Sequence, residues 1–162
     1  MENELVNQTC SLHNWSQCEK DSSNRRRSNI VLRDKRAVSE YRGKNASRHE
    51  FITLQVDDCI ITSKRELKCD FLLLDHLNKT ARLIELKGLN YDHGVAQIKN
   101  TMKLLGSDLK EMGYSKFFGK IAASRSPHIK DASYKKLKDS LYQECRLILD
   151  IRGNNKYEET LS

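Results

Sequence analysis

Apolar residues recur along this chain with two different periods, and the period changes from segment to segment. A period of two marks a strand, and a period near 3.6 marks one face of a helix. Phe51-Ile52-Thr53-Leu54-Gln55-Val56 alternates apolar and polar positions, which predicts a strand closed by Asp57-Asp58 as a turn or bulge before Cys59-Ile60-Ile61. Cys69-Asp70-Phe71-Leu72-Leu73-Leu74 is a continuous apolar run interrupted only by an aspartate. Asp75 to Lys79 turns it back into Ala81-Arg82-Leu83-Ile84-Glu85-Leu86-Lys87. Runs of this kind predict two adjacent central strands.

Gly88 ends the second run, and Asn90 and Asp92 are residues that cap helices. Val95, Ile98, Met102, Leu105, Leu109 and Met112 then recur at spacings of three and four, predicting a long amphipathic helix. Phe117 to Ser124 predicts a fourth strand, closed by Ser126-Pro127. Tyr134, Leu137 and Leu141 lie on one side of a further helix, and Arg146 to Ile151 supplies the last strand. Upstream, Ile30 to Arg42 is drawn as a short helix with Val31, Ala37, Val38 and Tyr41 as its buried positions, and a short helix is drawn from Leu12 to Cys18.

This order predicts an α/β (α+β) fold with a mixed central β-sheet flanked by helices. Residues 1–28, rich in Asn, Gln, Ser and charge, are expected to form a polar leader or linker, residues 29–153 the folded domain, and residues 154–162 a frayed polar tail.

A length of 162 residues fits one hydrophobic core, and the composition, 38% hydrophobic and 31% charged, is that of a globular domain. Lys and Arg exceed Asp and Glu by 29 to 22, a formal charge of +7 that favours polyanionic partners such as nucleic acid. No apolar run approaches a membrane span, and the N-terminus shows no basic and apolar leader, so the expected location is the cytoplasm. Five scattered cysteines do not suggest a disulfide framework, and Cys59 and Cys69 are expected to pack as reduced, small hydrophobes. Cys10, His13 and Cys18 offer only three zinc ligands at a spacing unlike common zinc modules. The absence of a G-x-x-x-x-G-K-[ST] loop argues against a nucleoside triphosphatase.

Asp70, Glu85 and Lys87 are charged residues set in apolar strands, where an unpaired charge is costly enough to require a partner or a task. Strand alternation puts Glu85 and Lys87 on one side, with Ile84 and Leu86 on the other. An antiparallel neighbour beginning at Asp70 brings its carboxylate towards Glu85. Two carboxylates with room for water and phosphate oxygens are a donor set for Mg²⁺. The competing account is a buried salt bridge between Lys87 and one of the acids.

The block Cys69-Asp70, fourteen residues, then Glu85-Leu86-Lys87-Gly88, with Gln97 on the following helix, resembles the PD-(D/E)XK nuclease superfamily. The resemblance spans about Phe51 to Ser124, with Cys69 standing where the named motif has proline. It implies a restriction-endonuclease-like αβββαβ core, Asp70 and Glu85 as metal ligands, Lys87 as the residue assisting the nucleophile, and a functional Gln97. It also implies an acidic metal ligand on a first helix, for which Glu40 is the best-placed residue and Glu50 the second. The expected activity is Mg²⁺-dependent hydrolysis of phosphodiester bonds, with Mn²⁺ able to substitute, DNA as the preferred nucleic acid and, by analogy, a homodimer. The alternative is a noncatalytic binding or scaffold subunit that retains the fold.

Lesser candidates surround this set. His93 lies one turn from Gln97, with Asn100 and Thr101 beside them, although a solvent-facing polar stripe explains all four. Asp57 offers a further acidic edge to the cleft. Arg25, Arg26, Arg27 and Arg125 could touch phosphates, against the simpler account of solvated charge and turn chemistry.

Overall fold

A computed structural model describes residues 15–36, 38–86, 91–128 and 130–161. Six strands form one mixed sheet in the order β1-β4-β5-β6-β7-β8: β1 (Glu19–Lys20), β4 (Ile52–Gln55), β5 (Phe71–Asp75), β6 (Thr80–Leu86), β7 (Lys116–Ala122) and β8 (Leu147–Arg152). From β1 to β6 neighbours are antiparallel, whereas β6, β7 and β8 run parallel. Parallel neighbours need crossover connections. Helix α1 (Tyr91–Glu111) makes the first and α2 (Ala132–Cys145) the second. A smaller mixed sheet, in the order β2 (Asn29–Arg33), β3 (Glu40–Lys44), β9 (Lys156–Thr160), completes the architecture.

Strand alternation sorts the large sheet's side chains into two cores. Leu72 and Leu74 of β5 and Ala81 and Leu83 of β6 pack with Val95, Ile98, Met102, Leu105 and Leu109, the apolar stripe of α1. Phe71, Leu73, Ile84 and Leu86 turn the other way and pack with Ile30, Leu32, Tyr41 and Tyr157 of the small sheet. The mixed sheet is therefore covered by helices on one face only. The expected flanking helices occupy that face, and a second sheet occupies the other.

A partly buried ionic cluster also joins the two sheets. Glu159 of β9 accepts from Arg82 Nε at 2.7 Å and lies 3.0 Å from Lys120 Nζ, and the Tyr41 hydroxyl donates to it at 2.8 Å. Tyr157, 1% exposed, carries the cluster onward by donating to Asp150 at 2.6 Å.

Four expectations are corrected here. The segment drawn as a helix over 30–42 is a β-hairpin, with Ile30 opposite Gly43 and Leu32 opposite Tyr41; Ala37 lies outside the described residues. Three apolar residues in a row serve a strand when every second one is buried, as Ile30 and Leu32 are. Residues 15–28 are not a loose leader. Trp15 and Cys18 are buried, β1 pairs with β4, and Arg25 forms a forked pair with Glu19 at 2.8 and 2.5 Å and reaches Glu50 at 3.1 Å. Of the helix drawn over Leu12–Cys18, only a 3₁₀ turn at Ser16–Cys18 falls within the described residues.

The tail is not frayed. Lys156–Thr160 adds a parallel strand to β3 and buries Tyr157 and Leu161. Finally, Cys59 is not a reduced packing residue, because it is bonded to Cys18. Pairing of β1 with β4 brings the turn after β4 beside the turn before β1, so two cysteines 41 residues apart in sequence have Cα atoms 5.7 Å apart. Cys69 does remain a buried free thiol, and burial followed by the charge of Glu85 pushes its pKa well above the ordinary value. No helix among the described residues is long and apolar enough to cross a membrane.

Candidate functional site

The β5/β6 ladder runs in register to the pair Phe71 and Ile84, and one step further stand Asp70 and Glu85. There the regular pairing gives way. The Asp70 N–H donates to Ile84 O at 3.1 Å, and its carbonyl accepts from Val56 N at 2.9 Å and Asp57 N at 3.4 Å. Its carboxylate Oδ2 accepts from Leu86 N at 2.8 Å. Asp70 is thus pinned through main chain and side chain between the 56–61 turn and the end of β6. Glu85 is only 1% exposed, and it keeps the alternation of Ala81 and Leu83, which face the helices. At the start of α1, Gly94 is its neighbour: a Cβ there would stand 3.5 Å from Glu85 Cγ, in ordinary contact.

Both acids line one open cavity of about 640 Å³. Asp57 adds a third carboxylate, held by the turn that Gln55 braces through a 2.9 Å bond to the Asp57 carbonyl. Basic side chains line the same cavity: Lys20 of β1, and Arg33, Lys35 and Arg36 of the β2–β3 hairpin, with Asp34 among them. Lys20 also sits 5.4 Å over the ring of Phe71, which lines the same space. Asp70 and Glu85 are the residues that could hold a divalent cation here, since Mg²⁺ uses one or two protein carboxylates and takes its other ligands from water and phosphate. Among the described residues no group of three or more His, Cys, Asp or Glu side chains is placed to hold a metal by itself.

The polar stripe of α1 straps down the segment that delivers Asp70. Gln97 Nε2 donates to the Lys68 carbonyl at 3.1 Å, Asn100 Nδ2 to the Leu67 carbonyl at 2.7 Å, and Thr101 Oγ1 accepts from Cys69 N at 2.8 Å. Gln97 is therefore placed as a positioning residue for the strand entry and not along the cavity wall.

Comparison with known protein families, curated proteins and solved structures finds no match. The geometry alone therefore sorts the sequence candidates. It brings Asp70, Glu85 and Asp57 to one cavity. It does not bring Glu40 there. That residue lies on β3, bound by Arg33 at 2.9 Å and Arg42 at 3.1 Å. Burial alone would raise its pKa, but the two guanidiniums outweigh burial and hold it below the usual value. Glu50 is engaged by Arg25, and His93 is exposed on α1. Lys87 falls outside the described residues. Of the Arg triplet, Arg25 and Arg27 are drawn into contacts within the protein, with Glu19 and Glu50 and with Thr53.

Sequence reading missed the hairpin tip. Its signal is the run Arg33-Asp34-Lys35-Arg36, which the sequence reading places inside a helix and which is a turn between two half-buried strands.

Proposed function

We propose that this chain is a metal-dependent nuclease that hydrolyses phosphodiester bonds, with DNA as the first substrate to test and Asp70 and Glu85 as the carboxylates that hold Mg²⁺. The observation that carries this reading is that those two acids, adjacent at the end of the β5/β6 ladder, line an open cavity that Lys20, Lys35 and Arg36 also line. The antiparallel β4-β5-β6 meander, the α1 crossover and parallel β7 agree in order with the strand-helix-strand part of a restriction-endonuclease-like core. The hairpin stands where that core has its first helix.

Bound between the acids, Mg²⁺ would polarise a phosphate and acidify a coordinated water. The chain's own residues supply the rest. The Leu86 N–H holds the Asp70 carboxylate in one orientation, so its charge is aimed before substrate arrives. Burial of Glu85 keeps bulk water from screening it. Lys20, Lys35 and Arg36 neutralise phosphate charge as the backbone enters. Lys87, two residues beyond Glu85 in sequence, is assigned to orient the attacking water.

The test is cleavage of plasmid, single-stranded DNA and RNA with Mg²⁺, Mn²⁺ or chelator, for the natural chain and for Asp70→Asn and Glu85→Gln. Metal-dependent cutting that falls about 100-fold or more in both variants is expected, the scale of losing several kcal/mol of charge stabilisation. Binding without cutting under every condition would overturn the reading and identify a noncatalytic module. Preference for RNA over both DNAs would reassign the substrate.

A further inference from the structure

The hairpin tip holds cations that the fold itself does not employ. Arg25, Arg27, Arg33 and Arg42 are all tied to acids of the chain. Lys35 and Arg36 form no ion pair among the described residues, are exposed, and line the cavity of Asp70 and Glu85. Their position is fixed from below. Asp34 Oδ1 accepts from Val38 N at 2.8 Å and Ser39 N at 3.2 Å, closing the turn. The Arg33 and Glu40 pair locks its base, and Glu40 N donates to Asn155 O at 2.9 Å, docking the hairpin on the body. Lys20, which lines the same cavity, likewise forms no ion pair among the described residues and is steadied over Phe71. A rigid turn whose acid is consumed in its own closure, and whose cations are left facing a carboxylate-lined cavity, is built for an anion that the protein does not supply.

We propose that the β2–β3 hairpin tip is a phosphate-backbone clamp, in which Lys35 and Arg36 grip successive phosphates of a nucleic-acid strand entering the cavity that Lys20 also lines. This assignment rests on the nuclease reading for the identity of the polyanion, while the clamp itself concerns binding alone. It makes recognition at this site independent of base sequence, since phosphate contacts position the strand and carry no base readout. It also makes binding salt-dependent, because each neutralised phosphate releases counterions, worth about 0.9 in the slope of log K against log salt on duplex DNA and about 0.7 on single strands.

The experiment is fluorescence anisotropy of dye-labelled duplex and single-stranded DNA in chelator, where nothing is cut, as a function of salt. It compares the natural chain, Lys35→Ala/Arg36→Ala, and a control that loses the same charge elsewhere, Lys116→Ala/Lys136→Ala, at exposed positions on the start of β7 and on α2. The tip variant is expected to lower the salt slope by about 1.8 on duplex and about 1.4 on single strands, with an unchanged melting temperature. The control should keep the natural slope. Equal slopes for the tip variant and the control overturn the clamp even if the natural chain cuts DNA. Failure to bind either DNA overturns it as well. Absence of cutting by a natural chain whose slope does depend on Lys35 and Arg36 would sink the nuclease reading and leave the clamp standing.

Discussion

Gly94 and Glu85 are neighbours: a Cβ at position 94 would stand 3.5 Å from the glutamate's Cγ, an ordinary contact, and 3.3 Å from Ile121 Cδ1, a tight one. Glycine inside a helix costs about 1 kcal/mol relative to alanine, so its presence in the first turns of α1 implies a compensating close approach. Gly94→Ala gains the helix propensity and presses only on the movable end of Ile121, so its stability should stay within about 1 kcal/mol of the natural chain. Gly94→Leu should drive the helix start away from β6, lowering the melting temperature and abolishing cutting together. Thermal melts beside cleavage rates check this, and a fully active Gly94→Leu protein would show that Glu85 needs no glycine beside it.

The Cys18–Cys59 bond closes a loop of 41 residues, and it clips the edge strand bearing Lys20 to the turn bearing Asp57. Chain-entropy arguments assign a loop of that length about 4 kcal/mol. Reduction, or the Cys18→Ser/Cys59→Ser variant, should lower the urea midpoint accordingly. Identical unfolding curves with and without reductant would remove the bond from the account of stability.

Glu159 sets the acid limit of the fold. Burial pushes its carboxyl up, but Lys120 and Arg82, with the Tyr41 hydroxyl, outweigh burial and hold it below the usual carboxylate value. A pKa lower in the folded chain than in the unfolded one means that the unfolded chain binds more protons in acid. The stabilisation is thus complete above the ordinary carboxyl range and is lost as the pH falls towards the folded value. Urea unfolding between pH 7 and pH 3 should show this loss, and Glu159→Gln should flatten it. Glu159→Ala, which strands two largely buried cations, should cost about 3–5 kcal/mol at neutral pH. Unchanged acid sensitivity in Glu159→Gln would assign the limit to other carboxylates.

What the sequence disclosed and what it withheld divide along physical lines. Helix α1 is legible because Val95 to Leu109 repeats a local period, and β5 and β6 are legible because both faces are largely buried and their apolar runs are broken only by isolated charges such as Arg82 and Glu85. Asp70 and Glu85 stood out for the same reason, as charges where charge is costly. The small sheet was not legible. Lys-Tyr-Glu-Glu-Thr has one large apolar residue and becomes a strand through pairing with β3, more than a hundred residues earlier, which no local window contains. Glu40 was chosen for a helix that does not form, and the disulfide depended on strand adjacency that only the sheet order reveals. Gln97 was noticed as polar on the right helix, but its bond to Lys68 makes it a strap for the main chain.

The parallel placement of β9 on β3 carries a consequence for the hairpin. A chain cut after Arg152 would contain both carboxylates and every strand of the large sheet, yet the hairpin would have no β9 to pair with and Glu40 no Asn155 carbonyl to receive its N–H. The seating of the hairpin therefore depends on a strand more than a hundred residues further along the chain. A chain cut there should exchange the amide hydrogens of Glu40 and Arg42, which point towards β9, rapidly, whereas the 162-residue chain should protect them.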